Sequence, residues 1–99
     1  MWYVYLLVCK NSLYYIGATN NIEKRMKAHR SGKGSKFVRA NLPFTLYSII
    51  DCKNKSDALK LEYRLKKLNR KIKLIYFIKH CRYLYAQNIL TKKKDVDNE

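Results

Sequence analysis

The chain has 99 residues, of which 22 are Lys or Arg and seven are Asp or Glu, for a net charge of +15. This length allows one domain with a single core, and a composition that is 47% hydrophobic and 13% aromatic excludes a disordered chain. The odd number of cysteines, three, with no CxxC pair among them, argues against a disulfide framework or a zinc ribbon.

The positive charge is concentrated in residues 1–94, which hold all 22 basic residues and only four acids, so this part of the chain carries +18. A compact domain with this charge repels itself unless a polyanion binds it. Nucleic acid is therefore the first expected partner, and an anionic membrane surface is the second.

The apolar run at residues 2–9 is too short to span a membrane and lacks the features of a signal peptide. It is more typical of a buried strand. We therefore expect an intracellular protein with no membrane partner, located in the cytoplasm, or in the nucleus if the source is eukaryotic.

Two runs rich in β-branched and aromatic residues, 2–9 and 13–19, are separated by a short polar segment and predict a β-hairpin. Alternation places Tyr5 on one face of the first strand and Tyr15 on one face of the second. If the loop is centred near Lys10, the two tyrosines are direct cross-strand neighbours. A register shift of one residue would separate them.

Helices and one further strand are predicted after the hairpin from capping residues and apolar periodicity. In chain order they are a helix capped by Asn20 or Asn21 and ending near Ser31, a short helical segment at 35–40, a strand at 45–50, a helix capped by Ser56 or Asp57 and ending near Asn69, and a last helix at 71–90.

The order β-β-α-(α)-β-α-α predicts the α+β class, with a small three-stranded antiparallel sheet flanked by helices and an extra C-terminal helix. Residues 1–90 are predicted to form one domain, and residues 91–99 a charged, flexible tail. The chain has no room for a separate domain that reads nucleic-acid sequence.

Charged residues occupy the inward face of the helix that begins near residue 20. Ile22, Arg25, Met26 and His29 are spaced i, i+3, i+4 and i+7, so they form a single stripe. The other charges of this helix lie outside the stripe and are explained by a solvated surface, but Arg25 and His29 are not. A charge on an inward face is costly without a partner or a metal ion.

The helix that follows the third strand has the same feature, because Glu62 lies on a stripe with Ala58 and Leu65. One interpretation is structural: Arg25 and Glu62 form an ion pair, and His29 is a core histidine whose hydrogen bonds are satisfied. The other is a catalytic cleft in which Arg25, His29, Glu62 and the tyrosines converge. The strongly basic composition favours the cleft.

Tyr3-Val4-Tyr5 and, ten residues after Tyr5, Tyr15-Ile16-Gly17 resemble the paired motifs of the GIY-YIG nuclease family. Arg25 follows Tyr15 by ten residues, His29 follows Arg25 by four, and Glu62 lies on a later helix. This order and spacing are similar to those of the family, and the likeness covers the chain from residue 2 to about residue 70.

The likeness is greatest to the small stand-alone, single-domain branch, which has a stretch similar to Ser31-Gly32-Lys33-Gly34 after its first helix. Two positions depart from the family pattern. Tyr3 replaces the glycine of the first motif and leaves Tyr5 in place, and position 18 is Ala where some repair members carry a lysine. The charge of that lysine is therefore missing here.

The resemblance implies hydrolysis of DNA phosphodiester bonds with one divalent metal ion, Mg²⁺ or Mn²⁺, held by Glu62. It implies that Arg25 clamps the phosphate oxygens, and that Tyr5, assisted by Tyr15, takes a proton from the attacking water. Which tyrosine is the base stays open, as does whether His29 relays the proton or holds the substrate. We expect Arg25, the metal and the basic body to lower the tyrosine pKa by roughly 2 units from ~10.

Basic residues in the glycine-containing loop and on the later helices are candidates for contact with the nucleic-acid backbone, which gives affinity without sequence choice. For the loop, a plain helix-to-helix turn is an equally open interpretation. The candidates are Lys33, Lys36, Arg39, Lys66 and Arg70.

The resulting hypothesis is a GIY-YIG-type DNA endonuclease of DNA repair or recombination, with structure-dependent or weakly sequence-selective cleavage, or with targeting by a protein partner. RNA stays open as a substrate. The alternative is a catalytically inactive nucleic-acid-binding protein on the same fold, although binding alone needs none of the five predicted catalytic side chains. A third interpretation, a basic module on anionic membranes, needs a helix with a clean apolar face, and Lys79 interrupts the nearest one.

Overall fold

A computed structural model of the chain describes residues 1–85. Within this range, none of the helices has the length and apolarity that a membrane crossing requires. The elements are β1 (Trp2–Val8), β2 (Tyr14–Thr19), α1 (Ile22–Arg30), α2 (Lys36–Ala40), β3 (Thr45–Cys52), α3 (Lys55–Lys66), α4 (Arg70–His80) and β4 (Tyr83–Leu84).

The strands form an antiparallel sheet in the order β2-β1-β3-β4. The α+β class is confirmed, but the prediction of three strands is wrong because a fourth strand follows α4. The helix predicted for residues 71–90 ends at His80, and the Arg82 backbone N–H then donates to the Ile49 carbonyl at 2.9 Å. The rest of that predicted helix beyond residue 85, and the predicted tail, lie outside the described residues.

The β1–β2 hairpin turns at a 3₁₀ segment, Lys10–Ser12, in which Asn11 has a positive φ of 60°. The turn is thus centred on Asn11 rather than Lys10, so the condition for direct pairing of the two tyrosines is not met: Tyr5 pairs with Gly17, and Tyr15 pairs with Leu7. Because side chains alternate with a period of two, this register keeps both tyrosines on the same face, as diagonal neighbours.

Strand β1 lies inside the sheet and is covered on both faces, which explains why its sequence is apolar at successive positions. Val4 and Leu6 pack into a core with Leu61 and Leu65 of α3 and with Phe77 of α4. On the opposite face, β1 packs into a second core with α1 and α2, whose buried members are Tyr5, Leu7, Cys9, Met26, Val38 and Ile49.

Asparagine side chains cap three helices by accepting a hydrogen bond from a first-turn N–H. Asn21 caps α1, as one of the two predicted candidates. The cap of α3 is Asn54 rather than Ser56 or Asp57. Asn69, predicted to end that helix, caps α4 instead, so α3 ends at Lys66.

Candidate active site

The Tyr5 hydroxyl organises the candidate site. Tyr5 lies in the middle of β1 and is fully buried. Its oxygen is 2.7 Å from Nε2 of His29, and Nε of Arg25 donates to it at 3.4 Å. The two polar residues on the inward stripe of α1 therefore meet a polar group of the central strand rather than an apolar surface.

The structural interpretation, in which Arg25 forms an ion pair with Glu62, is wrong. The ion-pair partner of Glu62 is Lys66, at 3.4 Å, and Arg25 is engaged by Tyr5. His29 is completely buried, yet its Nδ1 has no hydrogen-bond partner among the residues described. A buried polar atom without a partner costs free energy, so His29 is not a satisfied core histidine.

Gly17 makes space for the Tyr5 ring. A Cβ at Gly17 would lie 2.3 Å from the Tyr5 hydroxyl oxygen and 2.5 Å from the ring carbon that carries it. Any side chain at this position would displace the hydroxyl from His29 and Arg25. The sequence alone does not specify this role of Gly17, although a glycine inside a strand often marks the close approach of another group.

Gly34 has the corresponding role beside His29, on the loop between α1 and α2. A Cβ there would lie 2.4 Å from His29 Nδ1. The loop therefore closes over the imidazole and excludes water from it. The sequence offered no sign of this contact, because the glycine also fits an ordinary turn between helices.

The hydrogen bonds suggest an assignment of the protons at the centre of the site. We assign the Tyr5 proton to the bond with His29, because the Tyr5 oxygen already accepts from Arg25; in this assignment Nε2 is the unprotonated nitrogen of the imidazole. Burial, reinforced by the charge of Arg25, lowers the pKa of His29 to about 4. The imidazole is therefore neutral near pH 7.

The Tyr5 pKa differs from expectation in the free protein. Burial raises the pKa of Tyr5 to about 12, and it outweighs the hydrogen bond from Arg25, which acts in the opposite direction. The expected lowering by positive charge is thus wrong for the protein alone. The pKa of Arg25 is raised, mainly by its hydrogen bond to Tyr5, so its positive charge is permanent.

The buried His29 predicts a loss of stability in acid. Its pKa is lower in the folded protein, about 4, than in the unfolded chain, about 6.5. The stability that the neutral imidazole contributes is therefore fully present above the pKa of the unfolded chain. It is lost as pH falls towards the pKa of His29 in the folded protein. Between about pH 7.5 and about pH 4.5, we expect the free energy of unfolding in urea to fall by about 2–3 kcal/mol from this group alone.

The matched variants for this measurement are His29→Gln and His80→Gln, the second at an exposed histidine. His80→Gln should lose as much stability between the two pH values as the wild type, and His29→Gln should lose less by the stated amount. Equal losses in all three proteins would contradict a neutral, buried His29.

Tyr15 and Glu62 complete the cluster from the edge strand and from α3. The Tyr15 ring centroid is 6.4 Å from that of Tyr5 and 5.5 Å from that of His29. Lys66 Nζ, the partner of Glu62, lies 5.8 Å from the Tyr15 ring centroid. The negative charge of Glu62 is also among the smaller factors that raise the pKa of Tyr5, so the carboxylate acts on the same site.

Glu62 fits a role as the ligand of a hard divalent cation. Its side chain is 21% exposed and that of Lys66 is 51% exposed, and an ion pair of this kind stabilises a protein by only ~0–1 kcal/mol. The ion pair with Lys66 therefore holds the carboxylate only weakly. Within residues 1–85 there is no group of three or more His, Cys, Asp or Glu suited to a metal, so any metal at Glu62 would be held by one carboxylate and by water.

The five candidates for contact with the nucleic-acid backbone fall into two groups: three are exposed on the surface, and the other two, Lys66 and Arg70, contact other parts of the protein. Lys33, Lys36 and Arg39 are exposed on the loop and on α2. Lys66 is engaged by Glu62. The Arg70 guanidinium carbon is 3.8 Å from the Tyr14 ring centroid, and its Nη1 donates to the Ser12 carbonyl.

The comparisons with known proteins assign this α+β domain to a family. A family model described as the GIY-YIG catalytic domain matches residues 1–75. The chain therefore belongs to the GIY-YIG family, a family of endonucleases.

Within the family, the chain is similar to small single-domain proteins named UPF0213. It is 42% identical over 88 residues to a UPF0213 protein of Bacillus anthracis, and the match covers 89% of this chain and 92% of that protein. It is 47% identical over 74 residues to one of Clostridium perfringens (strain 13 / Type A), covering 75% and 80%. The solution NMR structure of the UPF0213 protein BH0048 of Bacillus halodurans is 39% identical, covers 77% of this chain and 82% of that one, and has a TM-score of 0.50.

Proposed function

We propose that this protein is a metal-dependent endonuclease that hydrolyses DNA phosphodiester bonds, with structure-dependent or weakly sequence-selective cleavage. The observation that carries the proposal is the buried Tyr5 hydroxyl, whose proton is directed to a neutral His29 and whose oxygen accepts from Arg25. Burying these polar groups costs stability, and a protein that only binds nucleic acid gains nothing from it.

Tyr5 and His29 together supply the base. A tyrosine with a pKa of about 12 is ionised in only about one molecule in 10⁵ at neutral pH, so a tyrosinate formed in advance is a poor base. A concerted transfer avoids a free tyrosinate: Tyr5 takes a proton from the attacking water while its own proton passes to Nε2 of His29, across a hydrogen bond of 2.7 Å between O and N. The low pKa of His29 belongs to the protein without substrate, and the negative charge of a bound phosphodiester would raise it and make the imidazole a better acceptor.

Arg25 serves as the phosphate clamp. Its Nε is used by Tyr5, and its side chain also lines an open cavity of about 240 Å³, together with Asn20 and Lys24. A phosphate in this cavity would meet the permanent guanidinium charge of Arg25, the residue that connects the cavity to the Tyr5 hydroxyl. The planar fork of arginine suits the non-bridging oxygens of a phosphodiester better than an ammonium group does.

Glu62 is the proposed ligand of the divalent metal, Mg²⁺ or Mn²⁺. When bound, the metal would supply stabilisation of the charge that develops on the phosphate and the leaving group. With Glu62 occupied by a metal, Lys66, its present partner at 3.4 Å, would be free to contact the DNA backbone.

The weak sequence preference follows from the charge. Exposed lysines and arginines bind phosphates and carry no sequence information. Lys33, Lys36 and Arg39 are the proposed backbone contacts next to the active site. A protein partner is one means by which such an enzyme would be targeted.

The test is cleavage of end-labelled DNA, with continuous duplex compared with flapped and branched forms, in Mg²⁺ or Mn²⁺ and in a chelator. We expect cleavage that requires the metal and that follows the protein peak through two different chromatographic steps. Tight, salt-sensitive binding without cleavage of any form would overturn the proposal and favour the inactive nucleic-acid-binding protein.

A further inference from the structure

An exposed aromatic ring lies next to the candidate active site and plays no part in the chemistry above. Phe37 of α2 is 41% exposed and is stacked on Tyr15, with ring centroids 5.9 Å apart and an interplanar angle of 21°. Its neighbour on the same helix, Val38, is fully buried. The helix is therefore anchored by Val38 and presents Phe37 at the surface.

Phe37 forms one wall of a cleft of about 200 Å³ whose other lining residues are Tyr14, Tyr15, Ile16, Lys66 and Lys73. A cleft of this volume has room for several water molecules or for one planar ring system. Its walls are aromatic or apolar except for the two lysines. This combination of aromatic faces and ammonium groups matches the two parts of a nucleotide, the base and the phosphate.

The cleft is continuous with the proposed chemistry through two shared residues. Tyr15 contacts Phe37 on one side and lies 5.5 Å, between ring centroids, from His29. Lys66 lines the cleft and pairs with Glu62 at 3.4 Å. A base held on Phe37 would thus belong to a nucleotide adjacent to the phosphodiester at Tyr5, Arg25 and Glu62.

We propose that Phe37 is a stacking platform for an unpaired base next to the scissile phosphodiester, so that the protein prefers single strands, flaps and gaps to continuous duplex. The inference rests on the proposed endonuclease function and names its substrate class. A base in a continuous duplex is stacked between its neighbours and does not reach the cleft. A base in a single strand is free to stack on an aromatic side chain, whatever its identity.

The test measures binding in a chelator, where no cleavage interferes, to a single-stranded oligonucleotide and to a duplex of the same sequence. Phe37→Ala should weaken binding to the single strand by about 5- to 150-fold, the effect typical of one base–aromatic stack. Duplex binding should change by less than about twofold, since it depends on phosphate contacts. Phe37→Trp should restore single-strand binding, and Leu59→Ala, at a leucine of α3 that is 44% exposed, should behave as wild type.

A second readout is the fluorescence of 2-aminopurine placed in the single strand, which is quenched by stacking and should recover in Phe37→Leu. Equal losses of binding to the single strand and to the duplex would overturn the inference. No loss of binding to either DNA would also overturn it, and would favour a protein partner as the ligand of the exposed Phe37 ring. Neither result depends on cleavage. Absence of nuclease activity would overturn the proposed function, whereas an active enzyme that is indifferent to Phe37→Leu would overturn only this inference.

Discussion

Replacing Tyr5 with Phe is expected to lower kcat for DNA cleavage by about 10²- to 10⁴-fold, the contribution typical of a positioned proton-transfer group. The ring, its burial and its packing against Gly17 are retained, and only the hydroxyl that joins His29 to Arg25 is removed. Single-turnover cleavage at saturating enzyme isolates this effect from DNA binding, which should change by less than about threefold because the buried hydroxyl makes no backbone contact.

Two other tyrosines provide the controls. Tyr3→Phe alters a residue of the same strand that contacts the same core and should leave kcat unchanged. Tyr15→Phe tests whether Tyr15 is the general base, since the sequence does not decide between the two tyrosines. Because the Tyr5 hydroxyl is the one bonded to His29, Tyr15→Phe should lower kcat less than Tyr5→Phe does. The reverse order would move the base to Tyr15 and contradict the relay.

A stability measurement must accompany these rates. Removing the hydroxyl leaves His29 Nε2 buried without a donor, which is expected to cost about 1–3 kcal/mol of the free energy of unfolding. The variant remains informative if its unfolding in urea shows that it is folded under assay conditions. A loss of cleavage that is reversed by lowering the temperature would point to unfolding rather than to chemistry.

The parts of the fold that depend on local signals were predictable from the sequence. The hairpin runs, the Asn21 cap and the periodicity of α1 are all local, and they lie where predicted. Strand β4 was not predictable, because two residues carry no periodicity of their own and their strand conformation depends on pairing with Ser48 and Ile49. The register of the hairpin depended on the conformation of Asn11, which the sequence pattern does not specify.

The site was predictable because two polar residues lie on the apolar, inward face of one helix. Arg25 and His29 on an apolar stripe required an inward partner, and the structure supplies the Tyr5 hydroxyl. Glu62 was predicted by the same reasoning and lies beside the same cluster, but with Lys66 rather than Arg25 as its partner. The direction of the Tyr5 pKa was not predictable, since it depends on how completely the surrounding elements exclude water, and the closing of the loop at Gly34 over His29 is visible only in three dimensions.

Replacing Glu62 with Gln is expected to lower the cleavage rate in Mg²⁺ by at least about 10³-fold, because a bound metal supplies several kcal/mol of transition-state stabilisation and each 1.4 kcal/mol is a factor of ten. The substitution keeps the size of the side chain and removes its charge. A readout independent of activity is thermal unfolding. The wild-type Tm should rise with Mn²⁺ concentration, since a ligand that binds only the folded state stabilises it, and the Tm of Glu62→Gln should not.

Glu23→Gln is the matched control, because Glu23 is an exposed glutamate near the start of α1 and has the same charge to lose. It should keep both the cleavage rate and the Mn²⁺-dependent rise in Tm. The two readouts separate the possible roles of Glu62. If Glu62→Gln lost cleavage but kept the rise in Tm, the metal would have another ligand, and the carboxylate would act on Tyr5 or Lys66 instead. If the variant kept both, Glu62 would lie outside the mechanism, and the proposed metal site would be wrong.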